Sequence, residues 1–164
     1  MPTVYIETTI PSYYFETRTS AEAVTWRRIT RQWWDRHRHA YELVTSDVVL
    51  GELRRAPREK AVPGERMLAG LRLVERTPAV AKAARAYLEH RLVPRDAVAD
   101  AFHLAFASVY GLDYLLTWNC RHLANFNKAR HIAVLNARLG LAVPTMTTPL
   151  TLLPEGLAEV PDEE

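Results

Sequence analysis

Long apolar runs are missing from this chain of 164 residues. None approaches the roughly 18 residues that a membrane-crossing helix needs, so no membrane span is expected. Cysteine is nearly absent: Cys120 stands alone, which excludes an intramolecular disulfide and suits a reducing cytoplasm. The opening MPTVYIETT has no charged leader and no long apolar core, so it does not read as a signal peptide. The six glycines never group into a phosphate-cradling loop, which argues against a nucleotide cofactor. Strong charge of one sign is also lacking, since the net charge is only +2.

What is present suits a globular domain. With 48% hydrophobic and 24% charged residues, the chain can bury a substantial core. One domain over residues 1–153 is expected, followed by a loose acidic tail over 154–164 that ends PDEE. The positive charge is uneven. Arg27, Arg28, Arg31, Arg36 and Arg38 crowd one stretch, and Arg54, Arg55, Arg58 and Lys60 another. Such stretches suit either a local phosphate-binding surface or solvated helix faces.

Strand-like and helix-like segments alternate. TVYIE (3–7) reads as a strand buried in mid-sheet, and YELVTS (41–46), LRLVE (71–75) and YLLTW (114–118) follow, with VPTMTT (143–148) as a fifth. Between them, Thr19 and Glu22 have capping-box spacing before a long helix over 20–39. Ser46 or Asp47 can cap VVLGELRRA, a short helical piece spans 65–70, and Thr77–Pro78 opens another helix. Helices over 95–110 and 127–140 stop at Gly111 and Gly140. This alternation predicts an α/β domain with a mainly parallel sheet, whose ligand sites form beyond the carboxyl ends of the strands. Trp26, Ile29 and Trp33 recur at i, i+3 and i+7, most simply a core stripe.

Three acids sit where apolar segments end or helices begin: Glu7 in VYIETTIPS, Glu52 in TSDVVLGEL and Asp100 in DAFHLAFA. Asn119 follows the fourth strand as a neutral polar stop. On one helix, Asp96, Asp100 and His103 fall at i−4, i and i+3 and so share a face. Each acid alone reads as well as a cap or an arginine partner. Together they ask for a compensating charge, because clustered carboxylates raise each other's pKa values. A hard divalent ion such as Mg2+ or Mn2+ takes oxygen ligands of this kind.

The ordered stretches YIETTIPSYYFE, TSDVVLGEL, DAFHLAFASVYGLDYLLTWN and CRHLAN resemble the PIN domain, and more narrowly the VapC-type toxins of type II toxin–antitoxin systems. The resemblance implies a three-layer α/β/α sandwich around a mainly parallel sheet of four to five strands. It implies a metal-dependent ribonuclease, usually a homodimer held inactive by a small antitoxin, that leaves a 5′-phosphate and a 3′-hydroxyl. It maps the family's acids onto Glu7, Glu52, Asp100 and Asn119, and its supporting hydroxyls onto Thr8, Thr9 and Thr117. Two positions depart from the pattern. Glu7 stands where aspartate is commoner, and Asn119 stands where a fourth acid is often found, so a second metal would be held weakly.

The expected mechanism has Glu7 and Asp100 binding Mg2+ or Mn2+ directly, and Glu52 directly or through water. Arg54, Arg55 or Arg121 would position the RNA backbone. His103 reads either as a catalytic base or, more simply, as a satisfied histidine beside the site. A nucleophilic Cys120 lacks a matching histidine and acid. The alternative function is a catalytically weak or inactive module that binds RNA or a protein partner.

Overall fold

A computed structural model describes residues 1–154 of the chain. The expected loose tail lies, apart from Pro154, outside the described residues. Five strands form one sheet: β1 (Thr3–Ile6), β2 (Glu42–Ser46), β3 (Arg72–Val74), β4 (Tyr114–Leu116) and β5 (Thr145–Thr147). Their order is β3-β2-β1-β4-β5, and every neighbouring pair is parallel. β1 is central because its residues can be: Val4, Tyr5 and Ile6 are fully buried. The chain steps from β1 to β2 and β3 on one side, then crosses to β4 and β5 on the other. β1 and β4 therefore flank the switch point, where parallel sheets open a crevice at their carboxyl edge.

Helices α1 (Thr9–Tyr14), α2 (Ala21–His37), α3 (Asp47–Arg54), α4 (Arg58–Leu68), α5 (Pro78–Glu89), α6 (Val98–Val109) and α7 (Ala129–Leu139) flank the sheet. Their caps follow local chemistry. Thr77 accepts from the Val80 N–H with Pro78 at the first helical position, and Gly140 closes α7 in the left-handed conformation at φ 72°. The stripe Trp26, Ile29 and Trp33 of α2 faces the core: Trp33 is buried, Ile29 is partly buried against it, and Trp26 stacks on Trp118 with ring centroids 4.6 Å apart.

Four helices differ in extent from the sequence expectation. Ser20, not Thr19, caps α2, by accepting from the Ala23 N–H, and the helix ends at His37 in a 3-10 turn over Arg38–Ala40. α4 is much longer than 65–70 and runs through Pro63. Packing overrides the proline here: Ala61, Gly64 and Leu68 are buried at i, i+3 and i+7, and a Cβ on Gly64 would lie 3.2 Å from Leu53 Cδ2. α7 begins at Ala129, after a 3-10 turn over Phe126–Lys128. α6 begins at Val98 rather than at residue 95, because a turn intervenes in which the Ala97 N–H donates to Pro94 O at 2.9 Å. Asp96 sits in that turn, exposed, and is not on the helical face of Asp100.

Candidate functional site

Glu7 directly follows β1, and its N–H donates to Leu116 O at 3.2 Å, extending the β1–β4 ladder by one rung. Its side chain is only 3% exposed. Three donors hold it: the Thr9 N–H at 3.0 Å, the Thr9 hydroxyl, and the Thr117 hydroxyl at 2.7 Å. All three use Oε2, and none reaches Oε1. Thr9 and Thr117 thus hold the Glu7 carboxylate from two segments.

Glu52, in the second turn of α3, accepts from Thr8 Oγ1 at 2.6 Å and pairs with His103 Nε2 at 2.6 Å, both through Oε1. His103 is fully buried on α6. Its other ring nitrogen, Nδ1, bonds the Tyr5 hydroxyl at 2.7 Å, which in turn bonds Ser46 Oγ at 2.7 Å. Both nitrogens are satisfied, so His103 is held rigidly beside the acids and is not a free base. Glu7, Glu52 and His103 each offer a ligand atom, and those atoms lie within 4.8 Å of one another.

Asp100 is half-buried one turn before His103 and stands beside this group of three rather than within it. Asn119 is near enough to lower its carboxyl, while Asn119 Oδ1 accepts from the His122 N–H at 3.0 Å. The amide oxygen of Asn119 is therefore engaged by the backbone of the following turn.

The electrostatics couple the buried His103 to the surrounding acids. Burial pushes the Glu7 carboxyl above its ordinary range, and His103 and the threonines offset this only in part. Burial likewise raises Asp100, against the pull of His103, His122 and Asn119. Burial also acts to raise Glu52, but the hydrogen bond and charge of His103 and the Thr8 hydroxyl outweigh it, and Glu52 lies below its usual range. For His103, burial alone would lower the imidazole; the Glu52 bond and the charges of Glu7, Glu52 and Asp100 raise it overall. Burial is the dominant cause of both raised carboxyls, Glu7 and Asp100, and a bound cation would offset it. Buried Glu7, half-buried Glu52 and neighbouring Asp100 supply carboxylate oxygens that fit a hard divalent ion, with the hydrogen-bonded His103 beside them.

The arginines diverge. Arg54 Nε donates to Glu65 Oε1 at 2.7 Å, towards α4. Arg55 is exposed, and its charge is felt by Glu52. Arg121 is exposed beside Lys128, away from the three clustered ligands. Cys120 is at the surface, yet partial burial of its thiol pushes the pKa up, the opposite of an activated nucleophile. Sequence reasoning missed Tyr5 and Ser46 as the groups that orient His103. A tyrosine inside a fully apolar strand was the available signal, since a buried hydroxyl needs a partner.

A family model for the PIN domain matches residues 4–126. The chain belongs to the PIN domain family. PIN domains are generally nucleases, and the match spans Glu7, Glu52, Asp100, His103 and Asn119. No curated protein matches the chain. Among solved structures, it is similar to a chain of VapBC2 from Rickettsia felis bound to a DNA fragment from their promoter. That likeness has a TM-score of 0.51 at 11% identity, covers 89% of this chain and 98% of the other, and concerns the fold. Among the described residues, no helix is long and apolar enough to cross a membrane.

Proposed function

We propose that this PIN-family chain is a metal-dependent endoribonuclease, the toxin of a type II toxin–antitoxin pair, with residues 1–153 as the working domain. One observation carries the reading: Glu7, Glu52 and His103 gather within 4.8 Å at the carboxyl edge of the sheet, with Asp100 beside them. The likeness to a VapBC2 chain supports an antitoxin partner. The toxin would act in the cytoplasm as a homodimer.

Glu7, Glu52 and Asp100 would hold Mg2+ or Mn2+, with His103 as a fourth neighbour. When bound, such an ion activates a water and neutralises charge on the phosphate under attack. The chain's own contribution is positioning. Thr9 and Thr117 fix Glu7 through Oε2 and leave Oε1 for a ligand. Tyr5 and Ser46 fix the His103 ring, and His103 fixes Glu52. The Asn119 amide steadies Asp100, a supporting role in place of the fourth acid. Arg55, whose charge is felt by Glu52, would meet backbone phosphate there.

The test is cleavage of single-stranded RNA with Mn2+ and with EDTA. The wild-type chain cuts only with the ion, and Asp100→Asn lowers the rate by about 100-fold or more while the variant stays folded. Undiminished cutting by that variant overturns the mechanism. A second reading, a weak or inactive RNA- or protein-binding module, is favoured by the Glu52–His103 pair at 2.6 Å, which already engages one acid. Calorimetry decides: Mn2+ binding without cleavage supports the second reading.

A further inference from the structure

Beyond Asp100 lies a second charged feature that the acids do not explain. A cleft of about 690 Å³ is lined by Arg91, Arg95, Arg121, His122, Lys128 and His131, over a floor that includes Leu92 and Val93. None of its lining residues is acidic. Among the described residues, none of the three arginines or His131 has an ion-pair partner. These cations come from the turn before α6 and from the segment after β4, so no basic run in the sequence announces them.

Three features show that the cleft is built. Lys128 Nζ donates to Leu92 O at 2.9 Å, which pins a partly buried ammonium at the floor. His122 Nδ1 is buried without a hydrogen-bond partner. Arg91 ends α5 in the left-handed region at φ 54°, a position where glycine is the unstrained residue. By contrast, the basic run of α2 is largely spent on the fold: Arg27 donates to Glu16 O, Arg31 to Tyr14 O and Arg38 to Trp34 O.

The cleft adjoins the acidic centre. His122 N–H is bonded to Asn119 Oδ1, and both His122 and Lys128 interact electrostatically with Asp100. One extended polyanion can therefore present a reactive group at the acids and a further anion in the cleft. We propose that this cleft is a phosphate subsite for single-stranded RNA, seating a backbone phosphodiester that neighbours the scissile one. The proposal rests on the ribonuclease reading of the acidic centre. RNA is favoured over an acidic peptide because regularly spaced phosphodiesters satisfy both places. An unpaired strand can also lay its bases on the guanidinium and imidazole planes.

The experiment is fluorescence anisotropy with a labelled 12-nucleotide single-stranded RNA in EDTA, so that binding is read without cleavage. The double variant Arg95→Glu/Arg121→Glu binds about 10-fold or more weakly than wild type. Its dependence of log K on log salt is shallower by roughly 0.7 for each phosphate that it no longer neutralises. Arg28→Glu, an exposed change on α2, leaves the affinity at the wild-type value. Arg121→Ala reports a smaller slope change of the same sign, roughly 0.7, with less perturbation should the double variant melt early. Wild-type affinity in a folded double variant overturns the proposal, as does an absence of RNA binding by the wild-type chain. So does cleft-dependent binding of an oligoglutamate peptide with RNA unaffected. Cleft-dependent RNA binding without cleavage in Mn2+ sinks the ribonuclease reading and leaves the subsite standing. Cleavage with no loss of binding in the double variant sinks the subsite alone.

Discussion

Three hydrogen bonds converge on Glu7 Oε2 while Oε1 accepts none. Glutamine can place its amide oxygen where Oε2 lies and keep all three, so Glu7→Gln removes the buried charge with little change of shape. In EDTA the variant gains on the order of 1 kcal/mol, or about 2–4 °C in Tm. It also loses the upward shift that Mn2+ gives the wild type. Differential scanning fluorimetry with and without the ion checks both outcomes. At this scale the sequence reveals the three acids, because a carboxylate at the end of an apolar run stands out. The orientation of His103 is not readable, since its partner Tyr5 lies 98 residues away. Helical spacing does separate the two arginines: Arg55 is three residues after Glu52 and shares its face, whereas Arg54 does not and turns to Glu65.

Glu16 is the point where three helices meet. It follows α1, accepts from Arg18 Nε at 2.9 Å and Lys60 Nζ of α4 at 2.8 Å, and offers its backbone carbonyl to Arg27 of α2. The Arg18 hydrogen bond, against the penalty of burial and aided by Lys60, holds its carboxyl well below the ordinary value of 4.5. A depressed carboxyl stabilises the fold fully above its unfolded value and loses that contribution as pH falls through the folded one. Glu16→Gln should therefore cost about 1–2 kcal/mol at pH 7. The difference from wild type should shrink once the pH drops below 4.5. Urea melts at neutral pH, near 4.5 and well below it test this, and a difference that grows towards low pH refutes it. Elements with clean local signals are readable from sequence: Thr77–Pro78 and Gly140 mark their helices. The length of α4 is not, because Pro63 signals a break that burial of Gly64 and Leu68 overrides. Asp96 misleads for a related reason: its spacing to Asp100 is helical, but the turn after Pro94 delays α6.

For the whole molecule, the parallel order β3-β2-β1-β4-β5 brings Glu7, Glu52 and His103 together from β1, α3 and α6. An ion shared by these three elements cross-links the fold. Mn2+ at about a hundredfold excess over its Kd should add about 3 kcal/mol, roughly 5–10 °C in Tm, to a single cooperative transition. Calorimetry that shows two transitions, or no shift, contradicts a site built across the sheet. The α/β class follows from the alternation of segments along the chain. The basic cleft does not, because its cations are dispersed from Arg91 to His131 and only the fold collects them.

The bond between Glu7 and Thr117 spans 110 residues. During synthesis at ~5–20 residues per second, that separation corresponds to roughly 5–20 s between the appearance of the first carboxylate and of the hydroxyl that fixes it. Through that interval a nascent chain on the ribosome lacks the hydroxyl that fixes Glu7. On the proposed ribonuclease reading, the messenger under translation is out of reach of its own product until synthesis has passed β4.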